Sequence, residues 1–275
     1  MVLQDSKLDV TEGHVREVTD DEVAFLQENG WVKLEGLLTP DLVSNLRQAA
    51  HENFDGVRQS AGAGVWNGPH LAAKHHVEPF DSLVFGKQMG RNAQRLINRG
   101  RLTDREIPIR LRVDVVVNKD PRADASDEPE GTGATPFHQD SPEHGPDRIG
   151  EIGFWIALGE VTPEMGSMRF VTGSHREGPL GAGIVLGEDL PDALAQYPKL
   201  LDIYDLSPPI HYQPGDATVH LGFTLHGAPK NTTDIPRWSY IIQYCAADIL
   251  FTPPSTTPRG QYDMAPRKEF AVVYP

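Results

Sequence analysis

The chain has almost no cysteine and fewer basic than acidic residues. Its 275 residues include one cysteine, Cys245, so neither an intrachain disulfide nor a cysteine-based zinc site can form. Lysine and arginine total 25 against 39 aspartate and glutamate residues, a formal net charge of −14. Nucleic acids and anionic membranes are bound through clustered lysine and arginine, so neither is expected as a partner. The 11 histidines and the carboxylates remain as ligands for any metal.

The sequence also lacks long apolar runs. No run approaches the roughly 18 residues that a membrane-spanning helix needs. The first residues have neither the basic nor the apolar region of a secretory signal. We therefore expect a cytoplasmic protein whose partner is a small-molecule substrate, and the sequence does not indicate its oligomeric state.

The hydrophobic pattern changes near residue 106. Before it, Thr19 and Glu22 form a capping box for a helix that stops at Gly30, and Trp31 to Leu34 alternate like a short strand. A second helix begins at Thr39-Pro40, and a third is predicted over about 82–99. After it, alternation from Ile109 to Val117 indicates a half-buried strand, and short strands with Gly/Pro turns follow to about residue 246.

This pattern predicts a mainly β protein with N-terminal helices and an antiparallel jelly-roll core. We expect one domain over residues 1–275: a mainly helical layer at 1–105, the jelly-roll core at 106–250, and a C-terminal tail at 251–275.

A candidate metal site begins at His138 and Asp140, which lie two residues apart in a predicted strand and so share one face. A third ligand must come from farther along the chain, where His220 and His226 compete. Two histidines and one carboxylate that leave coordination positions open are typical of non-haem Fe(II) oxygenases.

A candidate anion site lies at Arg237, which follows a turn and opens the next predicted strand. A hairpin there would bring Arg237 near His226. Ser239 shares its face of the strand. A guanidinium inside a β fold needs an anion, and its planar fork matches a carboxylate.

Ordered motifs make the chain resemble the phytanoyl-CoA dioxygenase family of Fe(II)/2-oxoglutarate-dependent oxygenases. The resemblance covers roughly residues 109–246, with a similar helical start at 19–54. Its motifs are His138-Gln139-Asp140 and the segments 154–158, 164–170, 173–175, 215–216, 226–227 and 231–237.

The resemblance implies a double-stranded β-helix, the cupin-like jelly roll. It implies His138, Asp140 and His226 as the catalytic iron ligands, which leaves His220 a supporting role. It also implies that Arg237 holds the distal carboxylate of 2-oxoglutarate.

The resemblance suggests further co-substrate contacts and includes one departure. The candidates are Trp155, Val115, Gln139, Ser239 and His76. The last represents a basic family position that aligns equally with Lys74, His75 or His76. Many family members carry a serine where this chain has Ala228, and Ser239 or Thr224 could supply the hydroxyl instead.

The activity implied is an Fe(II)-dependent dioxygenase reaction with 2-oxoglutarate and O₂ as co-substrates. A small organic molecule, with natural-product intermediates among the candidates, would be hydroxylated or otherwise oxidised at a C–H bond, with release of succinate and CO₂. Asp140 disfavours halogenation, and the lack of a basic cluster disfavours a CoA thioester. The loops at roughly 56–80, 120–135 and 178–205 are expected to shape the substrate pocket. Residues of the first and last of these loops could flank the substrate: Trp66, His70, Phe80 and Tyr197.

Two other classes compete with this interpretation. A metal-dependent cupin isomerase or hydrolase would keep the three ligands but would have no use for an inward Arg237. A catalytically silent jelly-roll binding protein would have no need of the ligands.

Overall fold

A computed structural model describes most of the chain. It covers residues 11–54, 76–98, 102, 105–119, 133–141, 146–180, 192–250 and 272–274, together with the strands at 59–60 and 65–70. Within these residues, no helix has the length and apolar character required to span a membrane.

The helices lie mainly at the N-terminal end of the chain. They are α1 (Asp20–Asn29), α2 (Pro40–Phe54), α3 (Phe80–Val84), α4 (Lys87–Ile97), α5 (Ala193–Gln196) and α6 (Leu200–Ile203). The predicted capping box is present, because Thr19 and Glu22 each accept a hydrogen bond from the other's backbone N–H. Gly30 ends α1 in the left-handed conformation, with φ at 82°.

The prediction of one helix over 82–99 is wrong, because α3 and α4 are separate. Gly86 has an extended backbone and precedes α4. A Cβ atom at Gly86 would lie 3.0 Å from the Ser82 carbonyl oxygen. The two helices are therefore separated at a point where backbone segments approach closely.

Two antiparallel sheets form the predicted jelly roll. The strands are β1 (Trp31–Leu34), β2 (Gln59–Ser60), β3 (Val65–His70), β4 (Ile109–Lys119), β5 (Thr135–His138), β6 (Glu151–Ala157), β7 (Arg169–Phe170), β8 (Ala217–Leu221), β9 (His226–Ala228), β10 (Arg237–Ala246) and β11 (Val272–Tyr274). The large sheet has the order β1-β8-β6-β10-β4-β3-β2, with β11 also on β4, and the small sheet has the order β5-β9-β7.

The predicted division of the chain needs two corrections. Strand β1 is the strand predicted at Trp31 to Leu34, whereas β2 and β3 are additional strands in the segment expected to be mainly helical, and β11 lies in the expected tail. Pairing of Trp31 with His220, and of Leu34 with Ala217, makes β1 an edge of the large sheet. Residues 209–213, one of the short strands expected after residue 106, form only a bridge between Tyr212 and Val161 in the described structure.

The large sheet has one face toward the helices and one toward the small sheet. On β10, Trp238 and Tyr240 belong to the core under the helices. Ile241 instead packs with Trp155 and Phe170 in the core between the sheets. A row of register partners, Val115, Ile241 and Trp155, crosses this inner face. The inner face is therefore the wall on which a site can form.

Candidate metal centre and anion pocket

Three side chains converge where the two sheets face each other. His138 ends β5 and pairs with His226, which begins β9, so their rings lie 4.2 Å apart between centroids. Asp140 lies in the bend after β5. One ligand atom from each of these three residues falls within 4.8 Å of the others. The geometry therefore groups His226, rather than His220, with His138 and Asp140.

Hydrogen bonds orient both rings toward the carboxylate. The Nδ1–H of His138 donates to the Pro136 carbonyl at 2.8 Å, and that of His226 donates to the Thr224 carbonyl at 3.0 Å. Carbonyls can only accept, so Nδ1 must carry the proton in each ring. The Nε2 atoms lie 3.5 and 3.8 Å from Oδ1 of Asp140.

This arrangement suits a cation. Burial, together with His220 and His138, holds the pKa of His226 well below its usual value, so its Nε2 is a lone-pair donor. Burial would raise the pKa of Asp140, but His226, His138 and His220 hold it well below its usual range. A carboxylate facing an imidazole lone pair is stable with a metal ion between them. The donor set therefore fits a divalent transition metal.

His220 supports the site by binding the carboxylate. Its Nε2–H donates to Oδ2 of Asp140 at 2.9 Å, which leaves Oδ1 facing the two other histidines. Its Nδ1 is buried without a hydrogen-bond partner. Such a contact fixes the orientation of a metal-binding carboxylate.

Gly153 on β6 leaves the space that His220 occupies. A Cβ at this position would lie 2.8 Å from the His220 ring and 3.3 Å from Oδ2 of Asp140. We expect Gly153→Ala to lower the free energy of unfolding by about 1–3 kcal/mol through overpacking. Metal affinity should fall as well, because Asp140 must shift. Thermal melts with and without added metal measure both effects; unchanged stability and affinity would contradict this account.

Arg237 lies inside the protein on the inner face of the large sheet. The triad of candidate metal ligands, His138, Asp140 and His226, faces the same side. Arg237 is 2% exposed and donates from Nη1 to the Gly166 carbonyl, while its Nε is buried without a partner among the described residues. Burial lowers its pKa to about 10. Its guanidinium carbon lies 5.1 Å from the centroid of the Trp155 ring.

Other polar atoms near Arg237 are also unsatisfied. Ser239 Oγ, on the same face of β10, is buried without a partner. Thr224, the alternative hydroxyl, donates instead to the Gly30 carbonyl at 2.6 Å. Buried polar atoms without partners are rare in native proteins. Ser239 and Arg237 thus mark a pocket suited to a polar, anionic ligand.

The remaining predicted contacts divide into two groups. Trp155 and Val115 lie in the same row of the inner face, on either side of Ile241. Gln139 does not point at the site: its amide donates to the carbonyls of Gly178 and Phe223, and its oxygen accepts from the N–H of Leu180. Because β5 ends at His138, Gln139 lies just beyond the strand and tethers a neighbouring loop.

His76 is not brought to the site either. Its side chain is 77% exposed and lies 3.5 Å from the Asp81 carboxylate. The alternatives Lys74 and His75, and the side chains of Trp66 and His70, lie outside the described residues. Phe80 is not a substrate contact, because it packs against Phe54 and Tyr240 under the sheet. Tyr197 is partly exposed and donates to the Leu180 carbonyl.

The sequence does not single out three buried charged residues on β4 and β6. Lys119 ends β4 directly opposite Arg237. Arg112 donates to Gln243 at 2.8 Å and lies 3.5 Å from Glu151, which accepts from Ser141. Residues two apart in a strand share a face, so the alternation that places Val115 and Val117 on the inner face also places Lys119 there. This spacing is the sequence feature that indicates an inward side chain for Lys119.

The fold has well-characterised counterparts. The carbocyclase SnoK from nogalamycin biosynthesis, a non-haem α-ketoglutarate-dependent enzyme, is 23% identical, with a TM-score of 0.67 over 87% of this chain and 88% of that one. The epimerase SnoN, solved with Fe³⁺, α-ketoglutarate and nogalamycin RO, is also 23% identical, with a TM-score of 0.68 over 92% and 98%. EctD from S. alaskensis, solved with 2-oxoglutarate and 5-hydroxyectoine, is 17% identical, with a TM-score of 0.66 over 91% and 84%.

Sequence comparison leads to the family. No curated protein matches the chain significantly. The family model for phytanoyl-CoA dioxygenase (PhyH) matches residues 26–239, which include the triad and Arg237. The chain belongs to the phytanoyl-CoA dioxygenase family.

Proposed function

We propose that this protein is an Fe(II)/2-oxoglutarate-dependent dioxygenase that oxidises a C–H bond of a small organic molecule. The observation that carries the proposal is one inner face shared by two features. These are a two-histidine, one-carboxylate group and a buried arginine without a carboxylate partner among the described residues. A metal-dependent isomerase or hydrolase would use the first feature and leave the second without purpose.

His138, Asp140 and His226 would hold the iron. Bound iron would supply the activation of O₂, in which 2-oxoglutarate, O₂ and a C–H bond give succinate, CO₂ and a hydroxylated product. Three protein ligands leave positions for the keto acid and O₂. His220 holds Asp140 through Oδ2, so the carboxylate keeps its orientation during turnover.

Arg237 would receive the distal carboxylate of 2-oxoglutarate. Its unpartnered Nε and the Ser239 hydroxyl are the groups available for that carboxylate. Trp155 covers the guanidinium and, with Val115 and Ile241, gives the pocket an apolar wall. Desolvation by these neighbours strengthens the charge pairing.

The substrate class is proposed from the comparisons. SnoN was solved with nogalamycin RO and EctD with 5-hydroxyectoine, both small organic molecules. A natural-product intermediate is therefore the class we propose for this chain. The oxidation could end in hydroxylation or, as for the carbocyclase SnoK and the epimerase SnoN, in ring closure or epimerisation.

The proposal is tested by following 2-oxoglutarate consumption, succinate release and O₂ uptake against a panel of polycyclic and amino-acid-derived natural products. We expect one succinate to form for each 2-oxoglutarate consumed. The true substrate should stimulate this turnover, and Asp140→Ala should abolish it. Conversion of a panel compound without loss of 2-oxoglutarate would instead establish a metal-dependent isomerase or hydrolase.

A further inference from the structure

A second buried cation stands beside Arg237. Lys119 is the last residue of β4, and its register partner is Arg237, the first residue of β10. Register partners in an antiparallel pair project to the same face of the sheet. Lys119 is 6% exposed, so its ammonium is inside the protein with the guanidinium.

The two cationic groups reach adjoining parts of the backbone. Lys119 Nζ donates to the Pro229 carbonyl at 2.6 Å, and Arg237 Nη1 donates to the Gly166 carbonyl. Gly166 and Pro229 are in close approach, since a side chain on Gly166 would collide with the Pro229 carbonyl oxygen. The Lys119 ammonium and the Arg237 guanidinium therefore lie in the same small region of the protein.

Neither cation has an anionic partner in the part of the chain that the structure describes. Among the described residues, each side chain donates a hydrogen bond to one carbonyl. Burial, with the nearby Arg237, holds the pKa of Lys119 well below its usual value. Buried charges are normally paired or hydrogen-bonded throughout. A buried lysine beside a buried arginine, neither with a carboxylate partner among the described residues, calls for a ligand that brings negative charge and stabilises the charged form of both.

We propose that Lys119 is a second binding residue for the distal carboxylate of the 2-oxo acid co-substrate, and that it makes the pocket selective for dicarboxylates over monocarboxylates. This inference rests on the proposed function. It also bears on Ala228, where many family members carry a serine, because Lys119 and Ser239 on β4 and β10 offer polar groups that the alanine lacks.

A purely structural role makes a different prediction. The bond to Pro229, together with the bond from Asn231 to the Lys119 carbonyl, ties the end of β4 to the turn after β9. Loss of these two hydrogen bonds would lower the stability of the protein and would weaken the binding of every keto acid equally. A role in binding requires charge, and it affects only ligands that carry a distal carboxylate.

The experiment is a calorimetric titration of anaerobic, metal-loaded protein with 2-oxoglutarate and with pyruvate, which lacks the distal carboxylate. Lys119→Gln keeps a donor for the Pro229 carbonyl but removes the charge, and Lys119→Arg keeps the charge. Lys230→Gln is the matched control, because it removes an exposed lysine beside the same turn. Thermal melts check that each variant is folded.

We expect Lys119→Gln to weaken 2-oxoglutarate binding by about 10-fold to 100-fold, the usual effect of losing a charged hydrogen bond. Pyruvate binding should change by less than about twofold, Lys119→Arg should restore most of the affinity, and Lys230→Gln should resemble the wild type. Unchanged 2-oxoglutarate affinity in Lys119→Gln, or equal weakening of both acids, would overturn the inference. Failure of the wild type to bind 2-oxoglutarate would instead overturn the proposed function and this inference with it.

Discussion

Replacing His226 with alanine is expected to abolish metal binding, whereas the same replacement of His220 should leave a metal bound. His226 supplies one of three ligand atoms, and its Nε2 faces the Asp140 Oδ1 that the metal would share. His220 contacts only the other oxygen, Oδ2. Loss of such a supporting contact lowers metal affinity by about 10-fold to 100-fold without removing the site.

The measurement is metal content and affinity after anaerobic loading with Fe(II) or Mn(II). Both variants remove a buried imidazole of the same size, so His220→Ala is the matched control for lost packing. Metal retained by His226→Ala and lost by His220→Ala would reverse the assignment of the two histidines. Thermal melts without metal separate a lost ligand from a lost fold.

Arg237→Met should weaken 2-oxoglutarate binding more than any other substitution in the pocket. Truncation of one partner in a buried, hydrogen-bonded charge pair costs about 2–5 kcal/mol, or roughly 30-fold to several thousand-fold in affinity. The methionine fills much of the same volume beside Trp155. Without co-substrate, stability should not fall, because the removed cation has no carboxylate partner among the described residues.

Titration of metal-loaded protein with 2-oxoglutarate and with pyruvate tests this expectation. Affinity for 2-oxoglutarate should fall while affinity for pyruvate stays near that of the wild type. Arg148→Met is a suitable control, since Arg148 is exposed and pairs with Asp147 at the surface. Equal affinity of Arg237→Met and wild type for 2-oxoglutarate would show that the anchor lies elsewhere.

Local patterns predicted much of the fold. The capping box at Thr19 and the glycine stop at Gly30 are set within a few residues, so they could be read directly. The alternation that groups Ser239 with Arg237 continues along β10, where Tyr240 lies on the helix side and Ile241 on the inner side. Period-2 alternation is informative wherever the two faces of a strand meet different environments.

Features that depend on long-range pairing could not be predicted in the same way. The choice between His220 and His226 follows from the register of β5 with β9, which places His138 opposite His226. Both histidines are buried and near Asp140, so neither burial nor spacing separates them. Similarly, the place of β1 in the large sheet depends on its pairing with a strand nearly 190 residues away.

Two errors in the site have local physical causes. Gln139 was grouped with its neighbours His138 and Asp140, but β5 ends at His138 and the Gln139 amide, just beyond the strand, donates to the backbone of a loop. The sequence alone does not indicate that Lys119 is buried, because a lysine at a strand end is usually solvated. Only the register with Arg237 shows that its side chain is inside.

The most direct test of the account is the absorption spectrum of anaerobic protein with Fe(II) and 2-oxoglutarate. Chelation of the metal by the keto acid gives a visible charge-transfer band, which requires the triad and the co-substrate pocket together. We predict the band in the wild type, its absence in His226→Ala, and a much higher 2-oxoglutarate requirement in Arg237→Met. Folded, iron-loaded wild-type protein that gives no band at any 2-oxoglutarate concentration would contradict the central claim.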